Sequence, residues 1–184
     1  AIGGIILSAS HNPGGIDGDF GVKLNISNGG PAPEIITNKI FKASQLLTSY
    51  KICKIQLPDF SEYGTYSYGE TTLEIIDGLT DYSNLMEKIF DFDQISDFLK
   101  KDFSLIFDAM NAVTGPYAKN IFVEKMGLAP DCVMNGNPLK DFGGLHPDPN
   151  LTYASHLADL LLNKKSYSFG AACDGDGDRN MILG

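Results

Sequence analysis

An α/β fold is predicted, with mixed, largely parallel sheets flanked by helices. Three observations predict it. From Phe103 onward, apolar runs of strand length alternate with segments of helical spacing, the order that builds parallel sheets. Apolar runs end directly in loops rich in Gly, Asp, Asn and Ser. With 43% hydrophobic and 20% charged residues over 184 positions, the chain can bury the core of one ordinary domain or two small ones.

The elements follow in order. Ile5 to Leu7 reads as a short buried strand, and Ser8 to Gly18 as a polar loop after it. Val22 to Ile26 has strand character, and Ser27 to Pro33 is turn chemistry throughout. Glu34 to Tyr50 has helical spacing, with Ile35, Ile36, Ile40, Ala43, Leu46 and Leu47 on one face. Residues 51–80 are mixed and read as connecting strands or loops. Tyr82 to Lys101 carries two helical patterns, Leu85-Met86-Ile89-Phe90 and Ile95-Phe98-Leu99. Phe103 to Phe107 is a strand, Gly115 to Met126 a helix, Asn135 to Asn150 a long loop, Tyr153 to Lys164 a helix, and Phe169 to Cys173 a strand. A domain boundary is expected at residues 80–84, where the helical pattern restarts. Both ends fall in apolar runs and there is no initiating Met, so the sequence reads as an internal piece of a longer protein.

Charge and composition exclude several functions. Lys plus Arg number 14 against 23 for Asp plus Glu, a formal net charge of −9, which speaks against nucleic acid or an anionic membrane surface as partner. No apolar run is long enough for a transmembrane helix, and no secretory leader is seen. Three scattered cysteines, Cys53, Cys132 and Cys173, suit free thiols in a reducing compartment, the cytoplasm.

Two constellations carry chemistry. The first is Ser8-Ala-Ser10-His11-Asn12-Pro13-Gly14-Gly15. Ser10 stands where strand gives way to loop, and Gly14 and Gly15 can turn their N–H groups toward an anion. The bland alternative is a polar turn with a Pro-Gly break. A hydrolase nucleophile elbow is excluded, because Ser8 and Asn12 stand where glycine is needed. The second is Asp174-Gly-Asp176-Gly-Asp178-Arg179, which holds the only arginine in the chain. Three carboxylates so close repel unless a hard cation sits among them, and all-oxygen ligation suits Mg²⁺. Arg179 adds a planar donor for phosphate. A solvated acidic turn is the alternative. A calcium loop is excluded, because its sixth position would be Arg179 rather than Gly and the preceding segment is strand-like.

Asp-Phe-Gly occurs at Asp19–Gly21 and again at Asp141–Gly143, but a His-Arg-Asp catalytic loop is lacking, so both are read as chance. Lys23 follows Ser10 by thirteen positions on the next strand, although an exposed lysine is the ordinary case. Within the long loop His146 can contact a ligand, with a satisfied structural histidine as the expected reading.

Together the two strong motifs resemble the α-D-phosphohexomutase superfamily. The Ser8–Gly15 segment is similar to its phosphoserine loop and Asp174–Arg179 to its metal loop. Two narrower matches, Asn25-Ile-Ser-Asn-Gly-Gly-Pro-Ala-Pro-Glu34 and His146-Pro-Asp-Pro-Asn-Leu-Thr-Tyr-Ala154, point within it to the eukaryotic-type phosphoglucomutase branch, parafusins included. One departure is Ser8, where threonine is common. The resemblance implies a four-domain parent, with residues 1–82 the later part of domain I and 83–184 most of domain II. It implies a phosphoryl group on Ser10, and Mg²⁺ held by Asp174, Asp176, Asp178 and a Ser10 phosphate oxygen. His11 and Lys23 would move protons, and Arg179, Gly14 and Gly15 would bind phosphate. It also implies a sugar phosphate as substrate, glucose 1,6-bisphosphate as activator and intermediate, and a parent that is a monomer or weak dimer. The sugar-recognition loop would lie elsewhere in the parent, so this piece alone is expected to be inactive. The alternatives are a phosphomannomutase or phosphoglucosamine mutase and, in another class, a non-catalytic parafusin-like phosphoprotein of membrane trafficking.

Overall fold

The computed structural model describes residues 2–101 and 103–184. Two compact units are present: the residues up to Ile5 with Leu24–Asp81, and Ile6–Lys23 with Tyr82–Gly184. The second unit is thus discontinuous and includes the Ser8–Gly15 loop.

In the first unit, β1 (Gly3–Ser8) and β2 (Gly21–Ile26), which begin or end here, pair as a two-stranded sheet. A turn follows in which Ile26 N–H donates to Gly30 O and Gly29 takes a φ of 84°, so the Asn-Gly-Gly run sits where its backbone freedom is needed. Helix α1 (Glu34–Ser44) starts after Pro33. It ends six residues before the expected Tyr50, and the chain continues in turns through Leu47. β3 (Gly64–Tyr68) and β4 (Thr71–Ile75) form an antiparallel hairpin turned by Gly69 in the left-handed region. The expectation of burial fails in this unit. Ile5 is 69% exposed and Ile35 67%, and α1 has no buried residue, because no element among the described residues covers these faces.

The second unit contains most of α2 (Gly78–Ile89), then α3 (Phe92–Leu99), whose first turn is capped by the Asp91 carboxylate accepting from Gln94 N–H. Its sheet has the order β6-β5-β7-β8: β5 (Leu105–Asp108), β6 (Val133–Met134), β7 (Phe169–Cys173) and β8 (Asn180–Leu183). β5 runs parallel to β6 and β7, and β8 returns antiparallel to β7. Alternation along the strands separates two cores. On one side Ile106 and Ala172 meet Leu157 and Leu161 of α5 (Ser155–Ala158, extended by π-helical turns to Asn163). On the other, Phe107 and Val133 meet Ala118 and Phe122 of α4 (Thr114–Ala118, likewise extended to Lys125). Helix therefore covers both sheet faces, the layering that a parallel sheet requires.

Gly170 permits the close approach of α5: a Cβ there would lie 2.8 Å from Leu161 Cδ2 and 3.1 Å from Leu157 Cδ1. Leu157 is fully buried. Leu157→Ala is expected to cost about 2–5 kcal/mol, through lost transfer energy plus a residual cavity. Urea unfolding measures this, and a loss below about 1 kcal/mol would mean that the helix collapses onto the space.

Candidate active site

The carboxylate loop is the β7–β8 connection. Its entrance is fixed by Asp174, which is 0% exposed. Asp174 Oδ1 accepts from Arg179 N–H at 3.1 Å, and Asp174 N–H donates to Arg179 O at 3.2 Å, closing the hairpin. Gly177 takes a φ of 80°, which lets the turn double back with Asp on alternate positions. As a result Asp174, Asp176 and Asp178 each offer an oxygen within 4.8 Å of the others. Asp174 Oδ2 and Asp176 Oδ1 are buried and accept no hydrogen bond among the described residues. Burial, helped by the neighbouring Asp176 and Asp178 charges, pushes the Asp174 carboxyl above its ordinary range. For Asp176 burial also pushes upward, but hydrogen bonds from Lys23 and Ser8 outweigh it and hold the carboxyl below that range.

Side chains of the serine loop and of the next strand tie to the carboxylate loop at three places. Ser8 Oγ donates to Asp176 Oδ2 at 2.7 Å and accepts from Ser10 N–H, also at 2.7 Å. Lys23, on β2, donates from Nζ to Asp176 Oδ2 at 2.5 Å and to Asp178 Oδ2 at 2.7 Å. Those two bonds raise the Lys23 pKa. A third tether joins Arg179 Nη1 to His11 Nδ1, with the guanidinium donating. Ser10 itself has a φ of 58°, unusual for a residue with a Cβ. Its carbonyl oxygen lies where a Cβ on Gly175 would be. Gly175→Ala is therefore expected to displace the Ser10 loop and slow turnover by about 10²-fold. A steady-state assay beside a circular dichroism melt checks it; an unchanged rate would show that the loop yields freely.

Of the other residues singled out in the sequence, Gly14 and Gly15 part company. Gly15 has a φ of 109° and open space around it, whereas Gly14 is crowded by Lys140 O and the Phe142 ring. His146 is not the satisfied histidine expected: Nε2 is buried without a partner among the described residues, and the ring lies tilted against Tyr153 at 4.0 Å and nearly parallel to His11 at 6.4 Å. Asp108, at the end of β5, is buried, accepts from Met110 N–H and Asn135 Nδ2, and is pushed up by burial.

The model of the phosphoglucomutase/phosphomannomutase α/β/α domain II matches residues 80–184, and that of domain I matches residues 1–51. The chain belongs to the phosphoglucomutase/phosphomannomutase family. Curated relatives in this family include the phosphoglucomutase of Aspergillus fumigatus, 54% identical over the whole chain and 33% of the relative, and the chloroplastic phosphoglucomutase of Arabidopsis thaliana, 53% identical over the whole chain and 30% of the relative. The chain thus spans about a third of the length of the curated relatives it matches. Among solved structures, an exocytosis-sensitive phosphoprotein of Paramecium, parafusin, described as a phosphoglucomutase and seen in an open form, is 45% identical with a TM-score of 0.92, covering all of this chain and 35% of that one. A putative phosphomannomutase of Thermus thermophilus is 27% identical with a TM-score of 0.69 over all of this chain and 36% of that one.

Against the family pattern, the residue that sequence reasoning undervalued is Ser8. Its hydroxyl joins the two motifs, and the available signal was its position two residues before Ser10, which puts both on one side of an extended segment.

Proposed function

We propose that the protein to which this chain belongs is a phosphoglucomutase, interconverting glucose 1-phosphate and glucose 6-phosphate through a phosphorylated Ser10 and a glucose 1,6-bisphosphate intermediate. The observation that carries the reading is the Ser8 hydroxyl, which ties the backbone of Ser10 to Asp176 in the carboxylate loop. Identity above 50% to phosphoglucomutases of fungi and plants supports glucose over mannose as the sugar.

Asp174, Asp176 and Asp178 fit Mg²⁺: the donor set is all oxygen, and two of its oxygens are buried with no protein hydrogen bond among the described residues. A bound ion would neutralise charge on the transferring phosphoryl group, and a Ser10 phosphate oxygen would join the three carboxylates in holding it. The chain's own residues do the rest. Ser10 is the nucleophile that divides the isomerisation into two transfers. In the first, the Ser10 Oγ–P bond breaks, a sugar hydroxyl oxygen bonds to phosphorus, the hydroxyl proton leaves and Ser10 Oγ gains one. In the second, the other phosphate returns to Ser10 and the protons move the opposite way. Lys23 and His11 carry these protons. Arg179, with Gly14 and Gly15, binds phosphate oxygens.

We further propose that residues up to 82 form the later part of a first domain and 83–184 most of a second, and that the parent works as a monomer or weak dimer. The cytoplasm is the proposed compartment. All three cysteines are free, and no helix among the described residues is long and apolar enough to cross a membrane. A coupled assay of the full-length protein tests the function, with glucose 1-phosphate and mannose 1-phosphate offered separately. Glucose 1-phosphate is expected to be converted at least tenfold more efficiently; preference for mannose would move the assignment to phosphomannomutase, and turnover of neither would sink it.

A further inference from the structure

The Asp-Phe-Gly run at 141–143, a chance match by sequence, has a structural role of its own. Phe142 has a φ of 54°, a region where a bulky residue is an outlier. The surroundings enforce it. Phe142 N–H donates to Leu139 O at 3.1 Å, its carbonyl accepts from Asn111 Nδ2 at 3.3 Å, and Asp141 Oδ1 accepts from Gly143 N–H at 3.0 Å. Gly143 and Gly144 follow with φ of 69° and 74°. This backbone sends the ring between the two functional loops. A Cβ on Gly14 would lie 3.0 Å from both Phe142 Cε2 and Lys140 O, and one on Gly175 would meet Ser10 O first and Phe142 Cζ next, at 3.2 Å. Neither glycine has a positive φ, so space and not conformation accounts for both.

The side-chain ties between the loops are polar and exchangeable: Ser8 and Lys23 to Asp176, Lys23 to Asp178, and His11 to Arg179. Each involves a group whose partners change when phosphate and cation occupy the site. The thickness of the Phe142 ring, by contrast, is constant.

We infer that Phe142 is a positioning residue for phosphoryl transfer, a spacer that acts beside the close approach of Ser10 O to Gly175 in setting how the Ser10 loop sits against the Asp174–Asp178 loop. The inference rests on the mutase reading. In-line transfer demands that separation to a fraction of an ångström, and a misplacement of about 1 Å costs on the order of 10²-fold.

The test uses the full-length protein with Phe142→Leu, Gly14→Ala and the pair. In Phe142→Leu, kcat is expected to fall about 30-fold while KM changes less than about threefold, because the defect lies in the reacting geometry and not in sugar binding. Hydrogen exchange at amides 9–15 and 174–178 should quicken at least tenfold, with β5 and β7 unchanged. Gly14→Ala alone should slow turnover, yet add little to the effect of Phe142→Leu when the two are combined, a non-additive pair. Wild-type kcat, additive effects, or loops that keep their protection would overturn the inference. If the unmodified protein turns over no sugar phosphate, the mutase reading fails separately, and the exchange measurement alone decides whether Phe142 is a spacer.

Discussion

Asp176→Asn in the full-length protein is expected to lower turnover by about 10³-fold or more while the fold persists, the scale of losing one group that stabilises transition-state charge. Asp176 is the hub of the site. One of its oxygens takes Ser8 and Lys23, and the other is buried and unpaired among the described residues. An amide keeps one acceptor but places an N–H₂ either against the Lys23 ammonium or against the cation, so a proper partner is lost in both orientations. Stability has two opposed contributions. The Lys23–Asp176 pair is partly exposed and worth little, while removing one of three crowded carboxylates relieves repulsion. The melting temperature in metal-free buffer should therefore hold or rise, and the Mg²⁺ dependence of turnover should move to higher concentration. Turnover equal to the wild type at limiting Mg²⁺ would remove Asp176 from the metal site.

Ser10→Ala is expected to abolish both covalent phosphate and mutase activity, whereas Ser8→Ala should keep the phosphate and lose about 10- to 100-fold in rate. The difference follows from what each hydroxyl does. Ser8 is engaged on both sides, donating to Asp176 and accepting from Ser10 N–H, so its removal leaves the Ser10 amide without that acceptor and frees the loop. Ser10→Gly is a useful companion. Glycine relaxes a backbone held at φ 58°, so this variant should be as inactive as Ser10→Ala but more stable. Peptide mass spectrometry of the loop, before and after excess glucose 1-phosphate, reads the outcome. Phosphate on Ser8 with Ser10 unmodified would exchange the roles of the two serines.

The carboxylate hairpin was the most legible part of the sequence. Phe169–Cys173 is apolar and ends abruptly in alternating Asp and Gly, and both features are local. β7 has the boundaries expected of it, and β8 follows. The two-residue β6 escaped notice because Val133–Met134 is too short to show a period and exists only by pairing with β5. Glu34–Tyr50 carries apolar residues at helical spacing beyond Ser44, yet the helix stops there, since no described residue buries that face and helical stability comes mainly from packing. Within the site, Ser10 and the three Asp residues declare themselves by type and spacing. Ser8 and Phe142 do not, because their contacts are with loops distant in the sequence, which no local pattern records.

The contact between Ser8 and Asp176 spans 168 positions, inside a unit interrupted by Leu24–Asp81. On a ribosome adding about 5–20 residues per second, the serine loop waits roughly 8–34 s for its carboxylate partner to be made. The interrupting segment, with its local β3–β4 hairpin, can form its structure in that interval. The tie from Ser8 to Asp176 cannot. Closure of this site therefore waits for the β7–β8 loop to be made, and a chain that stalls before Asp174 carries Ser8 without its carboxylate partner.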